Sequence, residues 1–229
     1  MPRFRPLSEE EASTLIKYLR VKVLERLGVE SNVQVDPTQL INIASKRYGV
    51  FVSIERITYS DGMVKRVLRG SMGTIRPIKN LLEDSITATI HAAFYDPRYS
   101  PITPAEFKNC VLEVTLISQL FRVDEDWLRS KHVIGYHGFY VPGQGKFTII
   151  LPQRVIEWVE DYHSKVGRPI NREDFMKILC DYANVCEFNN INAFETQILY
   201  ELRPEEEVVE RKLYLNRLIS NDLKLIENL

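Results

Sequence analysis

The stretch Arg66-Val67-Leu68-Arg69-Gly70-Ser71-Met72-Gly73-Thr74-Ile75 constrains the fold more than any other in the chain. Its apolar, β-favouring residues predict a strand. Gly70 and Gly73 interrupt that strand, and each weakens the ladder and offers no side chain to pack. Glycines so placed mark a bulge, or a close approach by a ligand or another backbone. Ser71, a small hydroxyl, sits between them, with Arg66, Arg69 and Arg76 around it. A kinked strand with solvated arginines and the wall of a site are both open at this point.

The elements around the stretch follow from period and capping. Ser8-Glu9-Glu10-Glu11 is a capping box. Ala12, Leu15, Ile16, Leu19, Val23, Leu24 and Leu27 recur at helical spacing until Gly28. Asp36-Pro37 opens a second helix that ends at Gly49, and Val50–Ile54 is the first strand. The turn Ser60-Asp61-Gly62 predicts a long hairpin between that strand and the glycine-bearing one. A helix follows with Leu82, Ile86, Ile90 and Ala93 on one face, then a strand over Val111–Ile117. Beyond about Leu120 come a hairpin turning at Pro142-Gly143-Gln144-Gly145, helices over Gln153–His163 and from Asn171, and an alternating strand over Ile191–Leu202. Pro204-Glu205-Glu206-Glu207 predicts the start of a C-terminal helix, with acids in its first turn and Val208, Leu215, Leu218, Ile219 and Ile226 at helical spacing. That helix is assigned either to its own domain or to a homodimer contact. No regular strand–helix alternation exists, so the fold class is α+β with mainly antiparallel sheets flanked by helices.

Composition excludes several classes of function. The 229 residues suffice for one large domain or two small ones, and 45% are hydrophobic, which argues against disorder. With 30 basic and 31 acidic residues there is no global field to recruit nucleic acid or an anionic membrane. No apolar run approaches the ~20 residues of a membrane span, and Met1–Pro6 shows no signal-peptide pattern. A soluble, cytoplasmic protein is expected. Cys110, Cys180 and Cys186 are an odd number without paired spacing, which predicts buried, inert thiols rather than a disulfide or a zinc site. His91 reads as a surface or packed residue, and His132 and His137 lack further ligands at metal spacing, so no metal and no cofactor is expected.

Leu68-Arg69-Gly70-Ser71-Met72-Gly73-Thr74 resembles the signature of the AMMECR domain family, written Leu-Arg-Gly-Cys-Ile-Gly-Thr there. The resemblance continues in order through Ala92-Ala93, Asp96–Ile102, Leu112–Leu116, Gly135 with Gly138, and Leu151-Pro152-Gln153, covering about residues 8 to 202. Ser71 stands at the family's usual cysteine and Met72 at its isoleucine. The resemblance implies a larger subdomain, placed here at 1–119 plus 187–229, a smaller inserted one at 120–186, and a cleft between them that the signature faces. It also implies association with other proteins, without giving a mechanism.

Three roles for the signature follow. Ser71 is a candidate nucleophile, which requires a base that only folding could supply, from His91, His132 or His137. Alternatively Leu68, Arg69, Gly70, Ser71, Met72, Gly73 and Thr74 bind an anionic or peptide-like ligand or a protein partner. Arg69 would then make a bidentate contact, and freed backbone N–H groups would act as donors. In the third role the glycines serve close packing and the arginines pair with acids.

Overall fold

The computed structural model describes residues 3–60, 63–142, 147–184, 186, 188, 191–211, 215 and 217–225. The chain forms two compact units, one of Arg5–Ile117 with Gln197–Arg211, the other of Met1–Phe4, Ser118–Thr196 and Lys212–Leu229. The smaller unit expected at 120–186 lies within the second of these.

The first unit carries the signature. Helix α1 (Glu9–Arg26) begins with the expected capping box, Ser8 and Glu11 each bonding the other's backbone N–H. Helix α2 (Pro37–Ala44) is capped by Asp36. Strands β1 (Gly49–Ser60) and β2 (Met63–Thr74) pair antiparallel along their whole length. The two residues expected to turn them, Asp61 and Gly62, lie outside the described residues. Helix α3 (Leu81–Phe94) packs on β2 and β1. It buries Leu81, Ser85, Ala88, Thr89, Ala92 and the expected Ala93, with Leu82, Ile86 and Ile90 only half-buried. The largest apolar residues therefore do not define its inner face. Small ones do, because the helix backbone must come close to the sheet. The short helix α4 (Pro104–Phe107) leads into β3 (Cys110–Ile117), which pairs with β1 and is buried at every position.

The other unit holds β4 (Phe121–Val123), α5 (Glu125–Ser130), β5 (Val133–Ile134), β6 (His137–Pro142), β7 (Phe147–Ile150), α6 (Pro152–Val166) and α7 (Arg172–Ala183). Its expected hairpin is β6–β7, whose turn residues 143–146 are outside the described residues. Strand β8 (Ile191–Glu201) starts in this unit, against β4 and β6, and ends in the first, against β3 and β9 (Val208–Glu210). A core of Val133, Ile134, Phe139, Val155, Val159, Phe175, Ile178 and their neighbours fills the unit.

Two expectations are corrected here. No helix starts at Pro204. Glu205 adopts φ 65°, Leu202 N–H donates to Glu207 O, and Val208–Glu210 pairs with β8, so the three acids lie in a hairpin turn. The β-branched pair Val208-Val209 suits a strand next to Glu201 and Tyr200 better than a helix. Further on, β10 (Lys224–Leu225) pairs with β5 inside the second unit. The homodimer contact assigned to a C-terminal helix thereby loses its basis. The second correction concerns the thiols: Cys180, near the end of α7, is disulfide-bonded to Cys186, which Asn184 in a left-handed conformation helps to turn back. Cys110 does remain a buried free thiol, and burial raises its pKa to about 11. Among the described residues no helix is long and apolar enough to cross a membrane.

Candidate functional site

Register explains the signature first. The β1–β2 ladder runs from Val50/Thr74 to Ile54/Gly70 and resumes at Glu55/Leu68, leaving Arg69 without a partner. Arg69 is thus the extra residue of a β-bulge, and a bulge re-aims the side chain it carries. Neither glycine needs a positive φ. A Cβ on Gly70 would lie 2.1 Å from the Ala92 carbonyl oxygen of α3, and one on Gly73 would lie 2.2 Å from the Val50 carbonyl oxygen of β1. The close approach read from the glycines is therefore made by the protein's own backbone.

The polar groups of the signature are also engaged. Arg69 donates from Nε and Nη2 to the two carboxylate oxygens of Glu106 at 2.7 and 3.1 Å, and from Nη2 to Ser100 O at 2.8 Å. The fork is used bidentately on a carboxylate, as expected of it, but the carboxylate is internal. Ser71 N–H donates to Asp96 Oδ2 at 2.9 Å, and Ser71 O accepts from Arg98 Nη2 at 3.3 Å. Asp96 is buried, and the Arg98 guanidinium lowers its pKa to about 2, helped by the Ser71 amide. Arg98 Nη2 pairs with Asp96 Oδ2 at 2.7 Å.

The Ser71 side chain points elsewhere. Its Oγ lies 3.0 Å from Ser53 Oγ, and Ser53 is the β1 partner of Glu113 on β3, so Ser71, Ser53 and Glu113 form one row across three strands. Strand alternation places Glu55 on this same face. Arg66 approaches Glu55 at 3.5 Å, donates to Glu201 O and Leu202 O, and lies over the Tyr200 ring. Arg211 donates to Glu113 Oε2 at 2.7 Å. Burial, then the Glu113 carboxylate, raise the pKa of Glu55. Burial opposes the charge on Arg211, but Glu113 and Glu55 outweigh it and its pKa is raised. The carboxylate side chains are the more buried, at 16% and 3% exposure, against 26% and 28% for Arg66 and Arg211.

Of the other expected site residues, Leu68 is exposed, Met72 and Gly73 are half-buried, and Thr74 holds a buried Oγ1 without a hydrogen-bond partner among the described residues. His91 is exposed on α3, edge-on to Tyr95. His132 and His137 are core residues of the second unit. His132 stacks between Phe139 and Phe175, His137 Nδ1 accepts from Val133 N–H, and burial lowers both pKa values, that of His137 to about 4. Sequence reasoning missed Glu55, Glu113 and Arg211. A lone carboxylate inside the apolar run Val111–Ile117 was a usable signal for Glu113, and a Ser-x-Glu alternation was one for Glu55. Nothing local marks Arg211.

The AMMECR1 family model matches residues 17–199, which include every element of this face except β9 and Arg211. The chain belongs to the AMMECR1 family. Relatives match nearly end to end. A protein of Methanothermobacter thermautotrophicus is 28% identical over 87% of this chain and 98% of its own length. One from Thermofilum pendens is 30% identical, covering 90% and 97%. The AMMECR1 fold is also that of the crystal structure of uncharacterized protein PH0010 from Pyrococcus horikoshii, with TM-score 0.69, 24% identity, and coverage of 91% of this chain and 100% of that one.

Proposed function

We propose that this AMMECR1 protein is a binding module, taking an anionic or peptide-like ligand on the Ser71 face of the β2–β1–β3 sheet. One observation carries the reading: on that face the guanidiniums of Arg66 and Arg211 are more exposed than the carboxylates they pair with, half-buried Glu55 and buried Glu113. Each guanidinium has donors beyond its internal bonds, and a planar fork suits a carboxylate or phosphate. The Ser71 hydroxyl adds a neutral donor or acceptor at the end of the row. Arg69 and the signature backbone act in this reading as the frame of the site rather than as its contacts. Thermal-shift screening of carboxylates, phosphates and short peptides tests it. Stabilisation by an anionic compound that disappears in Arg66→Gln and weakens in Ser71→Ala is the expected result. Stabilisation indifferent to both variants overturns it.

A second reading has its own observation. The Ser71–Ser53 hydroxyl contact, with Glu113 next in the row, is a geometry through which a proton could leave Ser71. Ser71 would then be a nucleophile. An activated ester should acylate Ser71, detected as an added mass on its peptide, and Ser71→Cys should react faster because a thiol is the better nucleophile. Binding without any acyl adduct favours the module alone.

A further inference from the structure

Strand β2 is the end strand of its sheet, twelve residues long, and its outer edge is treated differently along its length. At Ser71 the edge is closed, since Asp96 takes the outward N–H and Arg98 the outward carbonyl, as a neighbouring strand would. At Arg69 a bulge turns the strand. From Val64 to Leu68 no such device is present. Ile57 N–H donates to Asn109 O on the β3 side of β1, so the pairs Glu55/Leu68, Ile57/Arg66 and Tyr59/Val64 are those that exchange no bonds between β1 and β2. The N–H and C=O of Val64, Arg66 and Leu68 therefore point outward. Among the described residues none bonds to them there.

The side chains along this open edge define the partner. Val64, Val67 and Leu68 are 61, 46 and 37% exposed, and Tyr59 beside them 79%. Arg56 and Lys65 are exposed as well, and Glu55, half-buried against Arg66, is the only acid among the described residues of the two strands. Open edges are ordinarily shielded, and an exposed one carrying apolar side chains is a template for strand addition. We propose that the Val64–Leu68 edge binds an extended acidic segment of a partner protein as an added antiparallel or parallel strand, its backbone pairing with Val64, Arg66 and Leu68 and its carboxylates facing Arg56 and Lys65. This is the backbone edge of β2, which shares Arg66 and Leu68 with the Ser71 face, and it does not rest on that reading.

A fluorescein-labelled peptide alternating glutamate and valine serves as the probe, with a lysine–valine peptide as control, read by anisotropy and by hydrogen–deuterium exchange. The acidic peptide should bind, weaken with salt, and slow exchange in segments containing Val64–Leu68. Lys65→Glu should weaken it about fivefold or more by replacing attraction with repulsion. Val64→Pro should weaken it similarly, because it removes an outward N–H and no bond to β1. Thermal midpoints check that both variants are folded, and Lys65→Glu decides if Val64→Pro is not. Binding of both peptides alike, protection elsewhere, or no binding overturns the proposal. Concentration-dependent protection of Val64–Leu68 without peptide also overturns it, since the occupant would then be a second copy.

Discussion

Asp96 ties the signature to the segment that follows α3, and it does so only while ionised. Its folded pKa of about 2 lies below the ordinary carboxylate value of 3.8, so its stabilisation is complete above pH 4 and is lost as pH falls through about 2. The difference corresponds to about 2 kcal/mol. Asp96→Asn should cost about that much at pH 7 by urea unfolding, and the gap from wild type should close towards pH 2. Gly70→Ala places a methyl against the Ala92 carbonyl and should cost about 1–3 kcal/mol by overpacking. Arg69→Lys loses the fork on Glu106 and should cost about 1–2 kcal/mol. Ser71→Cys keeps volume and place, and its denaturation midpoint should stay near wild type. Wild-type stability in Arg69→Lys together with lost ligand binding would return Arg69 from the frame to the contacts.

Between elements, the decisive link is the buried pair of Arg20 on α1 and Glu201 at the end of β8. Arg20 Nε donates to Glu201 at 2.8 Å, Arg20 Nη2 also donates to Cys110 O, and Glu201 accepts from Leu112 N–H. Both side chains are almost wholly buried, so helix and strands meet through charge inside an apolar core. Arg20→Met should cost about 3–5 kcal/mol because it strands the carboxylate. Adding Glu201→Gln should recover much of that loss, since the amide still accepts from Leu112. A double variant no better than the single would mean that the Arg20 guanidinium over the Phe107 ring, not its pairing with Glu201, is what matters. The β8–β9 hairpin belongs to the same scale. It delivers Arg211 to Glu113, and no local feature of residues 204–211 announces that.

Across the whole molecule the two units differ in how they meet acid. Trp127 and Trp158 are the only tryptophans and both lie in the second unit, so intrinsic fluorescence reports that unit alone. Its buried His132 and His137 are held neutral, His137 with a pKa of about 4 against the usual 6.5. The unfolded chain binds more protons between those values, so this stabilisation is full above pH 6.5 and declines as pH falls towards 4. Tryptophan emission should therefore change on acidification before the Asp96-dependent stabilisation is lost near pH 2. Chain truncation after Arg203 removes β9 and Arg211 from one unit and Leu215, Ile219 and β10 from the other. Circular dichroism should show a large loss of melting temperature, where removal of a separate dimer helix would leave the melt unchanged.

Capping, period and turn chemistry were sufficient for α1, α2, the β1–β2 and β6–β7 strands, α6, α7 and β8, because each depends on residues within a few positions of one another. The ordered motifs likewise carried the family and the α+β class. What the signature's groups do was not readable, because their partners are distant: Glu106 and Asp96 for Arg69 and Ser71, the Ala92 carbonyl for Gly70, Ser53 and Glu113 for the hydroxyl. The inner face of α3 was misjudged for the same cause, since its small residues answer a glycine on another element. The expected helix start at Pro204 failed because helical spacing from Val208 is a local pattern, and pairing of Val208–Glu210 with β8 overrode it; Ile226 lies outside the described residues. Local order was decided by the chain alone. Which guanidinium is consumed internally was decided only by tertiary packing, which brings Glu106 of α4 and Ser100 O to Arg69 and leaves Arg66 and Arg211 more exposed.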